Sequence, residues 1–187
     1  MLKGEMDMQT ILIINLEGTG NEAEALRQTL EHMHFFVGMK NIGRPKDLME
    51  VFAGEIPFDP DCIIISCHGD QGKIIMPVLG ESVYYKNEPR GDFSSEEITQ
   101  FLNISGKVII NLGCTTGRND IAAVFSANNT YIAPRDYIAG NAALFFTIKL
   151  FYELASKQCA VEAAYLSARE TDDETRLFCL YQNGMQQ

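Results

Sequence analysis

Two segments decide the fold of this chain: residues 62–69, Cys-Ile-Ile-Ile-Ser-Cys-His-Gly, and residues 107–114, Lys-Val-Ile-Ile-Asn-Leu-Gly-Cys. Each is a β-branched apolar run, which is typical of a strand buried on both faces of a parallel sheet. The first run ends in His68 and Gly69, and the second ends in Cys114, 46 residues after the histidine. Because open α/β sheets carry their sites at the carboxyl edge, these two strand ends predict cysteine nucleophilic catalysis.

Strand and helix patterns alternate along the rest of the chain, which indicates one α/β domain spanning residues 1–187. We predict a three-layer αβα sandwich around a mostly parallel six-stranded sheet, with strand order 2-1-3-4-5 and the last strand at an edge. Besides the two runs above, the pattern predicts strands 9–17, 37–42, 130–133 and 177–181, a β-ribbon of 73–78 with 82–85, and helices 21–36, 45–53, 94–106, 119–128, 140–157 and 160–170. In the longest helix, the residues predicted to lie in the core are Phe145, Phe146, Leu150, Phe151 and Leu154.

Composition narrows the classes of function and partner. A formal net charge of −10 argues against a nucleic-acid partner, because an acidic protein repels phosphates. The same acidic surface is compatible with the binding of basic peptides. No stretch approaches the ~20 apolar residues of a membrane helix, and residues 1–8 are too polar for a signal peptide. We therefore expect a cytoplasmic protein without membrane contact, whose five cysteines are reduced thiols.

The turn after the second strand is built to present a side chain. Gly113 and Gly117 flank Cys114, and Thr115 and Thr116 follow it, which predicts a tight strand-to-helix turn with the positive end of the next helix near the sulfur. An imidazole at the neighbouring strand end could take and return the thiol proton. The backbone N–H groups of Gly69 and Cys114 are candidate oxyanion donors.

Each of these residues also has a structural interpretation. A strand-end histidine such as His68 can simply be hydrogen bonded, and a free cysteine such as Cys114 is among the residue types most often buried. A metal site is disfavoured, because Cys67 and His68 are adjacent on a strand and point to opposite faces, and no further ligand spacing completes a tetrahedral set. We therefore expect neither a metal nor a cofactor.

The assembled residues resemble the clan of caspase-like cysteine peptidases, which includes caspases, legumain, gingipain, separase and bacterial CHAT domains. Residues 66–74, Ser-Cys-His-Gly-Asp-Gln-Gly-Lys-Ile, resemble the histidine loop of caspases. Residues 112–117, Leu-Gly-Cys-Thr-Thr-Gly, depart from the Gln-Ala-Cys of caspases and are more similar to the Gly-Cys-Ser-Ser-Gly of separase. The carboxyl half is most similar to CHAT domains, in segments 131–136, 143–147 and 178–184, although the tryptophan common in CHAT strands is absent.

The resemblance implies a fold and a set of roles. Cys114 would be the nucleophile, His68 the general acid and base, and Gly69 with Cys114 the oxyanion hole. For the pocket that holds the residue before the cut, it points to Leu112 and to Arg135 or Asp136, and Asp70 lies near the mouth. Asp136 would select a basic residue and Arg135 an acidic one. The segment between Cys114 and the next predicted strand, 130–133, is too short for the excisable linker of caspases, so we expect an uncut chain.

Three hypotheses remain open at this stage. The first is a cysteine endopeptidase that acts on a protein or peptide through a thioester, cutting after a basic residue. The second is a catalytically silent caspase-like module that binds a regulatory protein partner in a bacterial complex. The third is a flavodoxin-like ligand-binding domain, for which Gly18-Thr-Gly20 is a phosphate-loop candidate without the lysine of a P-loop.

Overall fold

A seven-stranded sheet forms the centre of the computed structural model, which describes residues 8–187. Its strand order is β2-β1-β3-β6-β7-β8-β9, in which the first five strands run parallel, β8 is antiparallel to β7, and β9 is antiparallel to β8. The strands are β1 (Thr10–Leu16), β2 (Phe36–Ile42), β3 (Cys62–Ser66), β4 (Gly69–Asp70), β5 (Lys73–Ile74), β6 (Val108–Asn111), β7 (Thr130–Pro134), β8 (Phe178–Gln182) and β9 (Met185–Gln186). The helices are α1 (Glu22–His32), α2 (Pro45–Phe52), α3 (Ser95–Phe101), α4 (Asn119–Ser126), α5 (Gly140–Lys157) and α6 (Val161–Arg169).

The predicted α/β class and mostly parallel sheet are confirmed, but the sheet has seven strands rather than six. The additional strand is β9, a two-residue pair at the edge that is too short to show an alternating pattern. The predicted ribbon of 73–78 with 82–85 is wrong in its pairing. In the structure β5 pairs with β4, which precedes it, through a tight turn at Gln71 and Gly72. The prediction about a signal peptide concerns residues 1–8, of which residues 1–7 lie outside the described residues.

Helices cover both faces of the sheet. Alternate residues of β1 and β3 point to opposite sides, so that Leu12 and Ile63 pack with α2, α3 and α4, whereas Ile11 and Ile64 pack with α1, α5 and α6. This explains why both strands carry apolar residues on both faces, at residues 11–14 of β1 and 62–65 of β3.

In α5, Phe146, Leu150 and Phe151 are buried as predicted, but Phe145 is 48% exposed, one position away from the stripe that faces the sheet. Cys159, which follows this helix, is half-buried.

The connection from β6 to β7 is short and packed. It consists of a turn at residues 112–118, α4 and three further residues. Phe125 of α4 is fully buried and stacks on Tyr131 of β7, with ring centroids 4.7 Å apart. The side-chain amide of Asn129 donates to the carbonyl oxygens of Ile104 and Phe125, which fixes the end of the connection.

Candidate active site

The parallel pairing of β3 with β6 brings the two predicted strand ends together. Ile65 of β3 lies opposite Asn111 of β6, so the residues that follow each strand leave the sheet side by side. A cavity of about 200 Å³ opens at this edge. It is lined by Gly18, Thr19, Glu22, Cys67, His68, Leu112, Cys114, Ile138, Gly140 and Ala143. The two residues singled out for catalysis therefore line one cavity.

The backbone of Gly69 lies directly against the turn that carries Cys114. A Cβ atom at position 69 would lie 2.2 Å from the carbonyl oxygen of Cys114 and 2.9 Å from the carbonyl carbon of Gly113. Both of these are backbone atoms, which cannot rotate away as a side chain can. Glycine at position 69 is therefore required by close approach of two chain segments.

A backbone carbonyl orients the imidazole of His68. Its Nε2 lies 3.0 Å from the carbonyl oxygen of Gly18, in the loop after β1. Because a carbonyl oxygen only accepts, Nε2 carries the proton in this contact and Nδ1 is the acceptor of the neutral ring. Gly18 has a positive φ of 95°, and a Cβ atom there would lie 3.2 Å from the imidazole. The β1–α1 loop thus sets the tautomer and the position of His68.

The thiol of Cys114 is half-buried and faces the chain that enters α5. Its Sγ lies 3.4 Å from the carbonyl oxygen and 3.5 Å from the backbone nitrogen of Ile138. Within residues 8–187 the thiol makes no hydrogen bond to the His68 ring, a looseness that is common in enzymes without substrate. Gly140 and Ala143, from the first turn of α5, line the same cavity, so the partial positive end of an 18-residue helix lies beside it.

Thr115, the residue after the candidate nucleophile, has a strained backbone. Its φ of 62° lies in the left-handed region, which β-branched residues rarely adopt. The surroundings hold it there: its N–H donates to the carbonyl of Asp136 at 3.2 Å, and its hydroxyl accepts from the N–H of Gly72 at 3.0 Å. Thr115 therefore ties the turn of Cys114 to two neighbouring loops.

The two candidate oxyanion donors are available in this geometry. Ile74, opposite Gly69 in the ribbon, exchanges both of its backbone hydrogen bonds with Phe93, so the N–H of Gly69 lies outside the ladder. The N–H of Cys114 has no acceptor among the described residues. Two free N–H groups beside a thiol match the requirement of an oxyanion site.

Cys67 is buried in the core cluster that contains Leu12 and Ile63, and it also borders the cavity. Its thiol donates to the side-chain oxygen of Asn111 at 3.2 Å, and burial raises its pKa, as it does for Cys62. No group of three or more His, Cys, Asp or Glu side chains in the described part of the chain could hold a metal ion. None of the helices in residues 8–187 combines the length and the apolar composition needed to cross a bilayer.

The predicted substrate-pocket residues separate in the structure. Leu112 is buried and lines the cavity, whereas Asp70 and Asp136 lie outside the cavity lining. The carboxylate of Asp70 accepts a hydrogen bond from the hydroxyl of Tyr137, whose pKa is raised by this contact. The carboxylate of Asp136 is exposed and accepts from the N–H of Tyr137 at 2.8 Å. Their roles in binding substrate stay predictions.

Glu22 is a cavity residue that sequence reasoning missed. It is the first residue of α1, and its carboxylate accepts a hydrogen bond from the hydroxyl of Ser66 at 2.7 Å. Burial raises its pKa, against the opposing effects of Ser66 and the positive charge of His68. Its place in the first turn of a helix that follows a central strand was the available signal, because that turn lies at the carboxyl edge of the sheet.

Comparison with solved structures shows a caspase-like fold. The crystal structure of drICE, a caspase, matches with a TM-score of 0.53 over 95% of this chain and 88% of that chain, at 16% sequence identity. No protein-family model and no curated protein matches the sequence. At this identity the likeness shows the fold alone.

Proposed function

We propose that the chain is a cysteine endopeptidase in which Cys114 is the nucleophile and His68 is the general acid and base. The observation that carries the proposal is the shared cavity, which is lined by Cys114 with its half-buried thiol and by His68 with its oriented imidazole, while the backbone of Gly69 lies against that of Cys114. The caspase-like fold is consistent with this chemistry. A protein or peptide is the expected substrate, and no cofactor takes part.

The mechanism follows from the orientation of the groups. With Nε2 of His68 held by the carbonyl of Gly18, Nδ1 takes the proton of the Cys114 thiol. The sulfur attacks the peptide carbonyl carbon, and the resulting oxyanion accepts hydrogen bonds from the N–H groups of Gly69 and Cys114. The C–N bond then breaks as the imidazolium protonates the departing amine, and water hydrolyses the thioester with His68 again acting as the base.

Thiol labelling tests the proposal directly. We expect iodoacetamide to modify Cys114 faster than Cys159, which is also half-buried but lies outside the cavity lining, with its thiol 3.7 Å from the carbonyl oxygen of Glu153. The substitution His68→Ala should lower the rate at Cys114 by about 10²- to 10⁴-fold, the usual contribution of a general base, and leave Cys159 unchanged. Peptide hydrolysis should disappear in Cys114→Ser.

One result would contradict the proposal. If Cys114 reacts no faster than Cys159, and His68→Ala changes neither rate, the two residues do not act as a pair. The chain would then be a catalytically silent module of caspase-like fold, and the search for its role would turn to a regulatory protein partner.

A further inference from the structure

The side chain of Glu22 places a carboxylate in the wall of the cavity that also contains Cys114 and His68. One carboxylate oxygen, Oε1, accepts the hydrogen bond from Ser66, a fully buried residue two positions before His68. The hydroxyl of Ser66 also lies 3.1 Å from that of Thr19, so Glu22 is anchored to the end of β3 and to the β1–α1 loop. The anchored carboxylate therefore has a fixed position relative to the thiol and the imidazole.

Unlike the buried carboxylates of Glu88 and Glu153, the half-buried Glu22 has no lysine or arginine partner among residues 8–187, and the basic group that acts on it is the neighbouring imidazole of His68. The side chain of Glu88 pairs with Arg44, and the side chain of Glu153 pairs with Lys149 and Lys157. A carboxylate that is partly withdrawn from water without a cation is unfavourable, and burial accordingly raises its pKa. A cation supplied by a ligand would remove this cost.

The remaining walls define the shape of such a ligand. Leu112, Ile138 and Ala143 present apolar surface between the thiol and the carboxylate. A volume of about 200 Å³ suits a single side chain, since a cavity of about 150 Å³ holds a benzene molecule. Lysine and arginine combine a methylene stem, which packs on apolar walls, with a charged head that seeks a carboxylate.

We propose that this cavity binds the basic side chain of the residue whose carbonyl Cys114 attacks, and that Glu22 is the residue that selects it. The inference rests on the proposed peptidase function and names its substrate class as peptides with lysine or arginine before the cut. It assigns to Glu22 the role predicted from sequence for Asp136, whose exposed carboxylate lies outside the cavity lining. The thiol lines the same cavity, so the side chain that fills it belongs to the residue under attack.

The test compares acyloxymethylketone probes that carry arginine, leucine or aspartate next to the reactive group. We expect Cys114 of the wild-type protein to react fastest with the arginine probe. In Glu22→Gln, which keeps an oxygen for Ser66, the preference for arginine over leucine should fall by about 10- to 100-fold, the range of a lost charged hydrogen bond. Glu24→Gln is the matched control, because Glu24 lies on the same helix and pairs with Arg27.

Neutral iodoacetamide separates the inference from the proposed function. Because iodoacetamide has no side chain to place in the cavity, its rate at Cys114 measures any effect of Glu22→Gln on the thiol and the imidazole, and the preference among the three probes is read relative to that rate. If Glu22→Gln slows iodoacetamide and all three probes equally, Glu22 acts through His68 and the inference is overturned. It is also overturned if leucine or aspartate is preferred, or if Asp136→Asn rather than Glu22→Gln removes the preference.

If Cys114 proves unreactive, a binding measurement tests the basic pocket without catalysis. In the Cys114→Ala protein, N-acetyl-arginine methylamide should shift the NMR signals of the cavity residues at concentrations where N-acetyl-leucine methylamide does not. The additional change Glu22→Gln should abolish the shifts. Equal shifts from both compounds, or shifts that survive Glu22→Gln, would refute a basic pocket whether or not the protein is a peptidase.

Discussion

Gly69 and Cys114 are in contact through their backbones, so closely that a single methyl group on Gly69 would lie 2.2 Å from the carbonyl oxygen of Cys114. The residue after the candidate base thus fixes the loop of the candidate nucleophile. Because both contact atoms belong to the main chain, the distance between the two strand ends depends on the absence of a side chain at position 69.

We predict that Gly69→Ala separates the two strand ends and lowers the reactivity of Cys114 at least tenfold, because a misplacement of about 1 Å can cost 10²-fold in rate. Folding stability should fall by about 1–3 kcal/mol, as for other overpacked positions. Gly91→Ala is the control, since a Cβ atom at Gly91 meets nothing within 4 Å. Equal labelling rates in the two variants would show that the close approach does not matter for reactivity.

Gly18 offers a second test, on the imidazole. Gly18→Ala puts a methyl group 3.2 Å from the His68 ring, and it should lower thiol labelling by displacing the ring from the Gly18 carbonyl. Gly20→Ala is a matched control, because Gly20 also has a positive φ, 63°, but a Cβ atom there has open space. Both variants should lose about 1 kcal/mol of stability from backbone strain. A labelling rate that falls equally in both would assign the effect to strain alone.

The ion pair of Glu88 with Arg44 predicts that the free energy of unfolding falls at acidic pH. Arg44 and the N–H groups of Tyr85 and Lys46 lower the pKa of Glu88 to about 2, from 4.5. A lowered folded-state pKa stabilises the protein above the unfolded value, and this stability is lost as pH falls from about 4.5 to about 2. We expect Glu88→Gln to reduce the free energy of unfolding by about 1–3 kcal/mol at pH 7.

Urea denaturation of both proteins between pH 7 and pH 2.5 checks this prediction. The difference in unfolding free energy between wild type and Glu88→Gln should shrink through this range. A difference that stays constant as the pH falls would mean that the charge of Glu88 contributes nothing to stability.

Glu22 should show the opposite dependence on pH. Burial raises its pKa above 4.5, so the folded state binds the proton more tightly than the unfolded state, and stability falls as pH rises through the raised pKa. Glu22→Gln removes this loss. The variant should therefore be more stable than wild type at neutral pH and equal to it well below pH 4.5. Chemical denaturation at pH 4 and pH 7 measures the difference, and a variant less stable at pH 7 would contradict it.

Local patterns predicted much of the fold because they reflect local chemistry. The β-branched run 62–66 is a strand since both of its faces are buried, and the helix predicted to begin at residue 94 starts with a capping box, in which the N–H of Ser94 donates to Glu97 at 2.9 Å. The ribbon failed because Ile74 pairs with Phe93, nineteen positions further along the chain, instead of continuing the local strand. A single apolar run does not show which distant segment it will join.

The residues of the candidate site fall into the same two groups, those that a local sequence pattern predicts and those that it does not. His68 and Cys114 were found from sequence because each ends a strand of strong pattern. Glu22 and Gly18 were missed because their place in the site depends on how the β1–α1 loop lies over the end of β3, which is a tertiary relationship. Asp136 was favoured because it follows β7 in sequence, although its carboxylate lies outside the cavity lining.

The packed connection between β6 and β7 has a consequence for how such a protein could be switched on. Proteases cut chains at exposed, mobile loop tips. Between Cys114 and β7 the exposed chain beyond α4 is only residues 127–128, and the N–H of Gly106 binds the carbonyl of Asn128 at 2.8 Å. Nicking within α4 would have to unfold the helix, so limited proteolysis of the native protein should spare residues 119–126 and leave Arg118 and residues 127–128 as the exposed sites of this connection outside the helix.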